Sequence, residues 1–142
     1  MKPNTKKIIL GTAQFQSNYG ITNFQKFSQQ KKIKLLEYAW DTGIRNFDTA
    51  PYYGNSEKIL GDFIKVNGLQ KEIKVFTKIS KNISKKNLFE TRILKSIEKS
   101  FKNLNIQSLE CLYAAENISI KNLDYNCLKK VEKNFPIKNI GA

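Results

Sequence analysis

The sequence predicts an α/β fold built on a parallel sheet, and two observations predict it. Short apolar runs of strand character alternate with amphipathic helical stretches, and the strand starts fall near residues 7, 44, 73, 109 and 137, at spacings of 37, 29, 36 and 28 residues. That period is the size of one strand plus one crossover helix, so successive strands should lie parallel, joined right-handedly and covered by helices. Periodicity leaves two architectures open: a doubly wound open sheet, or part of an eight-stranded barrel. A complete barrel takes about 250 residues, so four and a half units are just over half of one.

The elements follow in order. Lys7 to Ala13 is a short apolar run that ends in a Gly turn, which suits a buried strand. The polar stretch Gln14 to Gln25 supplies Asn18, Gly20 and Asn23 as loop residues. From Ser28 a helix carries Ile33, Leu36, Tyr38, Ala39 and Trp40 near a 3.6-residue period, closed by Gly43 at the position of a helix C-cap. Ile44 to Ala50 reads as a strand and Pro51 to Asn55 as a loop. Ser56 and Glu57 then start a helix bearing Ile59, Leu60, Phe63, Ile64 and Val66 before Gly68. Ile73 to Ile79 is the next strand, and Ser84 to Asn103 a helix with Leu88, Ile93, Leu94, Ile97, Phe101 and Leu104 as its stripe. Leu109 to Ala115 is a fourth strand, Leu123 to Phe135 a fourth helix, and Ile137 opens a fifth strand.

Composition excludes several classes. With 142 residues, 40% hydrophobic and 26% charged, the chain is an ordinary globular one of single-domain length. No apolar run reaches membrane-spanning length and no signal core follows the N-terminus, so no membrane partner and a cytoplasmic location are expected. The net charge of +13 is carried by 23 lysines and only two arginines, Arg45 and Arg92. Lysines are spread along every segment together with many Asn and Ile, the pattern of AT-rich codons. A solvated surface is therefore expected, and no nucleic-acid partner. Cys111 and Cys127 sit in no CxxC motif and the chain has no histidine, so free structural thiols and no metal site are expected.

The motifs choose between the architectures. Neither a GxGxxG nor a P-loop follows the first strand, where the residues are Leu10-Gly-Thr-Ala-Gln14. The block Gly43 to Glu57 instead places Asp48 at the end of a buried strand and Tyr53 five residues on, in the following loop. Lys78 ends the next strand at the equivalent place, so all three converge at the C-terminal rim of a (β/α)8 barrel. A phenol near its ordinary pKa of about 10 is a poor acid at neutral pH, but a neighbouring ammonium stabilises the phenolate and a carboxylate holds that ammonium charged and aimed. A tyrosine so tuned gives a proton to a carbonyl oxygen as a hydride reaches carbon. Taken singly, Asp48 is a loop cap, Tyr53 a rim aromatic and Lys78 one lysine of many. Their coincidence at successive strand ends carries the functional reading.

These residues resemble the aldo/keto reductase family across essentially the whole chain: Leu10-Gly-Thr-Ala-Gln14, the Gly43 to Glu57 block, Val75-Phe-Thr-Lys78 and Ile140-Gly141. Gly11 to Phe15 with Asn18 to Asn23 is also similar to a bacterial branch associated with sugar and surface-polysaccharide genes. The resemblance implies a (β/α)8 barrel and reduction of a small-molecule carbonyl substrate with NADPH or NADH. It implies Asp48, Tyr53 and Lys78 as catalytic residues, and Gly11, Thr12 and Asp48 beside the cofactor. The family's fourth catalytic group is a histidine at the end of the fourth strand, where this chain has Ala115. Its Ser-Asn pair follows the fifth-strand glycine, and residues 1–142 end before that pair. The chain is therefore expected to be the N-terminal portion of one barrel domain, four βα units plus a fifth strand. Its first and fifth strands should be open edges through which it self-associates, with cofactor binding by this portion alone negligible. A non-catalytic binding or regulatory protein, or an inert remnant on the same scaffold, is the alternative reading.

Overall fold

A computed structural model of the chain describes residues 5–16, 27–79, 89–114 and 125–141. It has five strands, β1 (Ile9–Gly11), β2 (Asn46–Asp48), β3 (Lys74–Lys78), β4 (Cys111–Tyr113) and β5 (Ile140–Gly141). Four α-helices accompany them: α1 (Gln29–Asp41), α2 (Ser56–Val66), α3 (Phe89–Leu104) and α4 (Tyr125–Asn134). All strand pairs are parallel and the spatial order is β1-β2-β3-β4-β5, the order of the sequence. A doubly wound sheet reverses direction at a switch point, whereas this one never does, so the topology is that of a partial (β/α)8 barrel.

Burial shows which face the helices cover. Phe47, Val75, Thr77 and Leu112 are buried, while their strand neighbours Asn46, Asp48, Phe76, Lys78 and Tyr113 are half-exposed. Because strand side chains alternate, the first set faces the helical layer and the second lines the concave inner face. Leu36 and Ala39 of α1, Ile59, Leu60, Phe63 and Ile64 of α2, Ile93 and Ile97 of α3 and Val131 of α4 complete one core. Each of the larger side chains among them, Leu, Ile, Phe or Val, contributes about 1.5–3 kcal/mol on burial.

Local chemistry sets the element ends. Ser28 Oγ accepts from the Lys31 amide at 3.3 Å and caps α1, whose exit passes through Gly43 at φ +93°. The expected elements are all present, the strands shorter than the apolar runs that predicted them. The run from Lys7 becomes a 3₁₀ turn at Thr5–Lys7, a three-residue strand, and a second 3₁₀ turn at Ala13–Phe15 that buries Phe15. Val66, assigned to the apolar stripe of α2, is 83% exposed in that helix's last turn, past the end of the packed face. Trp40 packs partly on the core, with the Arg45 guanidinium 3.8 Å above its ring. The loop residues Asn18, Gly20 and Asn23, the start of α3 from Ser84 with Leu88, and Leu123 fall outside the described residues. Both cysteines are buried and neither is in a disulfide. Among the described residues no helix is long and apolar enough to cross a membrane.

Candidate active site

The inner face presents its functional groups in two layers. Gly11, Asp48, Phe76 and Cys111 are mutual register partners, and one layer further along Lys78 pairs with Tyr113 and Tyr113 with Gly141. Lys78 crosses between layers. Its Nζ donates to Asp48 Oδ2 at 2.7 Å and to the Thr49 carbonyl at 3.1 Å. The same Nζ lies 5.2 Å from the centroid of the Tyr53 ring, in cation–π geometry. The three residues chosen at successive strand ends are thus brought together.

The β2–α2 loop holds Tyr53 firmly. Tyr53 is 7% exposed and meets Tyr52 edge to face, with ring centroids 5.1 Å apart. Ser56, buried at the start of α2, donates its hydroxyl to the Tyr53 carbonyl at 2.6 Å and lies 3.2 Å from the Thr12 carbonyl. The Thr12 amide in turn donates to the Asp48 carbonyl at 2.9 Å. The rim ends of β1 and β2 are therefore knitted to the tyrosine loop through backbone groups, which any sequence could supply, and through one buried serine.

Sequence reasoning missed two further groups. Glu57 is 3% exposed, and its two oxygens accept from Thr77 Oγ1 at 2.9 Å and Asn103 Nδ2 at 3.3 Å, tying α2 to β3 and α3 beside Lys78. Tyr113 faces the interior, its ring packed where a Cβ on Gly141 would fall. The signal for Tyr113 was strand parity: it shares a face with Cys111 two residues before it. Burial pushes the Cys111 thiol up, partly offset by its hydrogen bond with Tyr113 and reinforced by the Glu110 charge. The Tyr113 phenol is also pushed up, first by the adjacent Cys111, then by burial and the more distant Asp48 carboxylate. Both groups are therefore protonated at neutral pH.

A profile of the Aldo/keto reductase family matches residues 7–141. The chain belongs to that family. A D-threo-aldose 1-dehydrogenase from a Pseudomonas species is 47% identical over 53 residues, which are 33% of this chain and 16% of that protein. Two solved structures share the fold. One, from Pseudomonas aeruginosa and described as an aldo-keto reductase, has a TM-score of 0.70 at 24% identity, covering 91% of this chain and 52% of its own. The other, described as a 2,5-diketo-D-gluconic acid reductase B, has a TM-score of 0.68 at 19% identity, covering 94% and 42%. The chain spans about half the length of these solved relatives.

Members of this family use a nicotinamide dinucleotide, and the β1 end of the inner face fits one in two respects. A Cβ on Gly11 would meet nothing within 4 Å, so there is open room beside Asp48. Thr12 is wholly buried, and its Oγ1 has no hydrogen-bond partner among the described residues. Ala115, expected at the family's histidine position, lies outside the described residues.

Proposed function

We propose that these residues form the front half of the active site of a carbonyl reductase that uses NADPH or NADH. The observation that carries the reading is the Asp48–Lys78 ion pair, with the ammonium over the Tyr53 ring. The bound nicotinamide would supply the hydride. Gly11, Thr12 and Asp48 would hold the near end of the cofactor. Tyr53 would give its proton to the carbonyl oxygen of a small substrate. Lys78 would stabilise the phenolate left behind, and Asp48 would keep Lys78 charged and directed. General acid catalysis contributes about 10²–10⁴-fold, so Tyr53→Phe in the protein carrying these residues should lower carbonyl-dependent NADPH oxidation by that factor. Turnover by Tyr53→Phe equal to that of the parent would overturn the assignment.

One observation favours a second reading, a ligand-binding protein without turnover. No histidine exists anywhere in residues 1–142, so the donor that the family places at the end of the fourth strand is replaced by Ala115. Losing such a donor costs about 10²–10³-fold in rate. Saturable NADPH binding with no carbonyl-dependent oxidation across a panel of aldehydes and ketones would decide for it.

A further inference from the structure

The helical layer carries a second concave site that the carbonyl chemistry does not use. A groove of about 710 Å³ runs between α2 and α3, from the Pro51–Asn55 loop at one end to Asn103 at the other. Four cations line it, Lys58, Arg92, Lys95 and Lys99, against one carboxylate, Glu57. Both oxygens of Glu57 are already engaged by Thr77 and Asn103. None of the four cations makes an ion pair among the described residues, whereas Glu90 of α3 is spent on Lys130 of α4. Arg92, Lys95 and Lys99 stand at i, i+3 and i+7, so they share one face of α3.

We infer that this groove binds a small anion carrying several phosphoryl groups in series. Unpaired cations crowded along one face repel one another, and a polyanion relieves that repulsion at every site it touches. Arg92 to Lys99 spans roughly 10 Å of helix axis, which calls for charged groups in a row rather than one. The volume lies within the roughly 300–1,000 Å³ typical of small-ligand sites, which favours a compact ligand over a polymer. Tyr52 lines the loop end. The inference is independent of the carbonyl-reductase reading.

Calorimetric titration of the protein with tripolyphosphate and with ATP, at physiological salt, tests it. Saturable binding of one equivalent is expected, weakened at least tenfold in Lys95→Gln/Lys99→Gln and unchanged in Lys65→Gln/Lys71→Gln, which alters a separate basic surface. Equal affinity for the two probes assigns recognition to the phosphate chain, and tighter ATP adds a contact with the nucleoside; both support the groove. Absence of saturable binding, equal weakening by the two double variants, or displacement of tripolyphosphate by a stoichiometric DNA oligonucleotide would overturn it. The last two outcomes would show a general response to the +13 charge or a nucleic-acid face.

Discussion

Lys78 is bonded to an aspartate that is not its register partner. Asp48 stands opposite Phe76 in the sheet, yet Lys78, two residues further along β3, places Nζ 2.7 Å from Asp48 Oδ2. The lysine reaches across one register layer to it, and the same ammonium lies over Tyr53. A shorter cation at position 78 would stay in its own layer. The pair is partly enclosed, at 19% exposure for the lysine side chain and 28% for the aspartate, so water screens it only in part.

Asp48→Asn removes the charge and keeps the shape. It should destabilise the fold by about 1–2 kcal/mol, the range between an exposed ion pair and a charged hydrogen bond. If the proposed chemistry holds, kcat should fall far more than this stability loss implies, with KM for the carbonyl little changed. Urea unfolding and steady-state kinetics measure the two effects separately. A kcat equal to the parent's would show that Lys78 needs no carboxylate.

Much of this arrangement was legible in the sequence, for a physical reason. Asp48 and Lys78 each end an apolar strand, and strand ends in a parallel sheet sit at one rim whatever the exact register. Barrel against doubly wound sheet was not legible from periodicity, because both alternate strand and helix; the motifs pointed to the barrel and the strand order bears it out. Glu57 was hidden for another reason. A glutamate in the first turn of a helix reads as a solvated dipole partner, and its burial depends on Thr77 and Asn103, 20 and 46 residues away. Val66 shows the converse, an apolar residue that periodicity counted inward and packing left outside.

Gly61 should tolerate no side chain. α2 and α3 approach so closely there that a Cβ on Gly61 would overlap the Asn103 carbonyl, which is backbone and cannot swing away. Gly61→Ala gains helix propensity of about 1 kcal/mol but must push the two helices apart, at about 1–3 kcal/mol or more. Net destabilisation is expected, read as a lower urea midpoint. A stabilised Gly61→Ala would mean that the helices separate freely.

Residues 1–142 expressed alone should self-associate. β1 and β5 each pair on one side only, and Ile8 and Ile9 at the β1 edge are 40% and 51% exposed. Open parallel edges with apolar flanks invite pairing between copies. Light scattering after size exclusion should show mass rising with concentration. A monomer across the micromolar range would show that the edges are protected.

Stability should decline from about pH 9 upward through Cys111 and Tyr113. Both groups hold their protons more tightly in the folded chain than their ordinary values of 9.0 and 10.0 allow. Below pH 9 both are protonated, folded or unfolded, and their contribution is fully present. As pH rises past those values the unfolded chain releases protons that the folded chain retains, so unfolding is favoured increasingly until the folded groups also ionise. Cys111→Ala/Tyr113→Phe keeps the ring against Gly141 and removes both ionisations. Urea midpoints at pH 7.5 and 9.5 should therefore fall further for the parent than for the double variant. Equal falls would mean that the inner-face thiol and phenol titrate as they do in the unfolded chain.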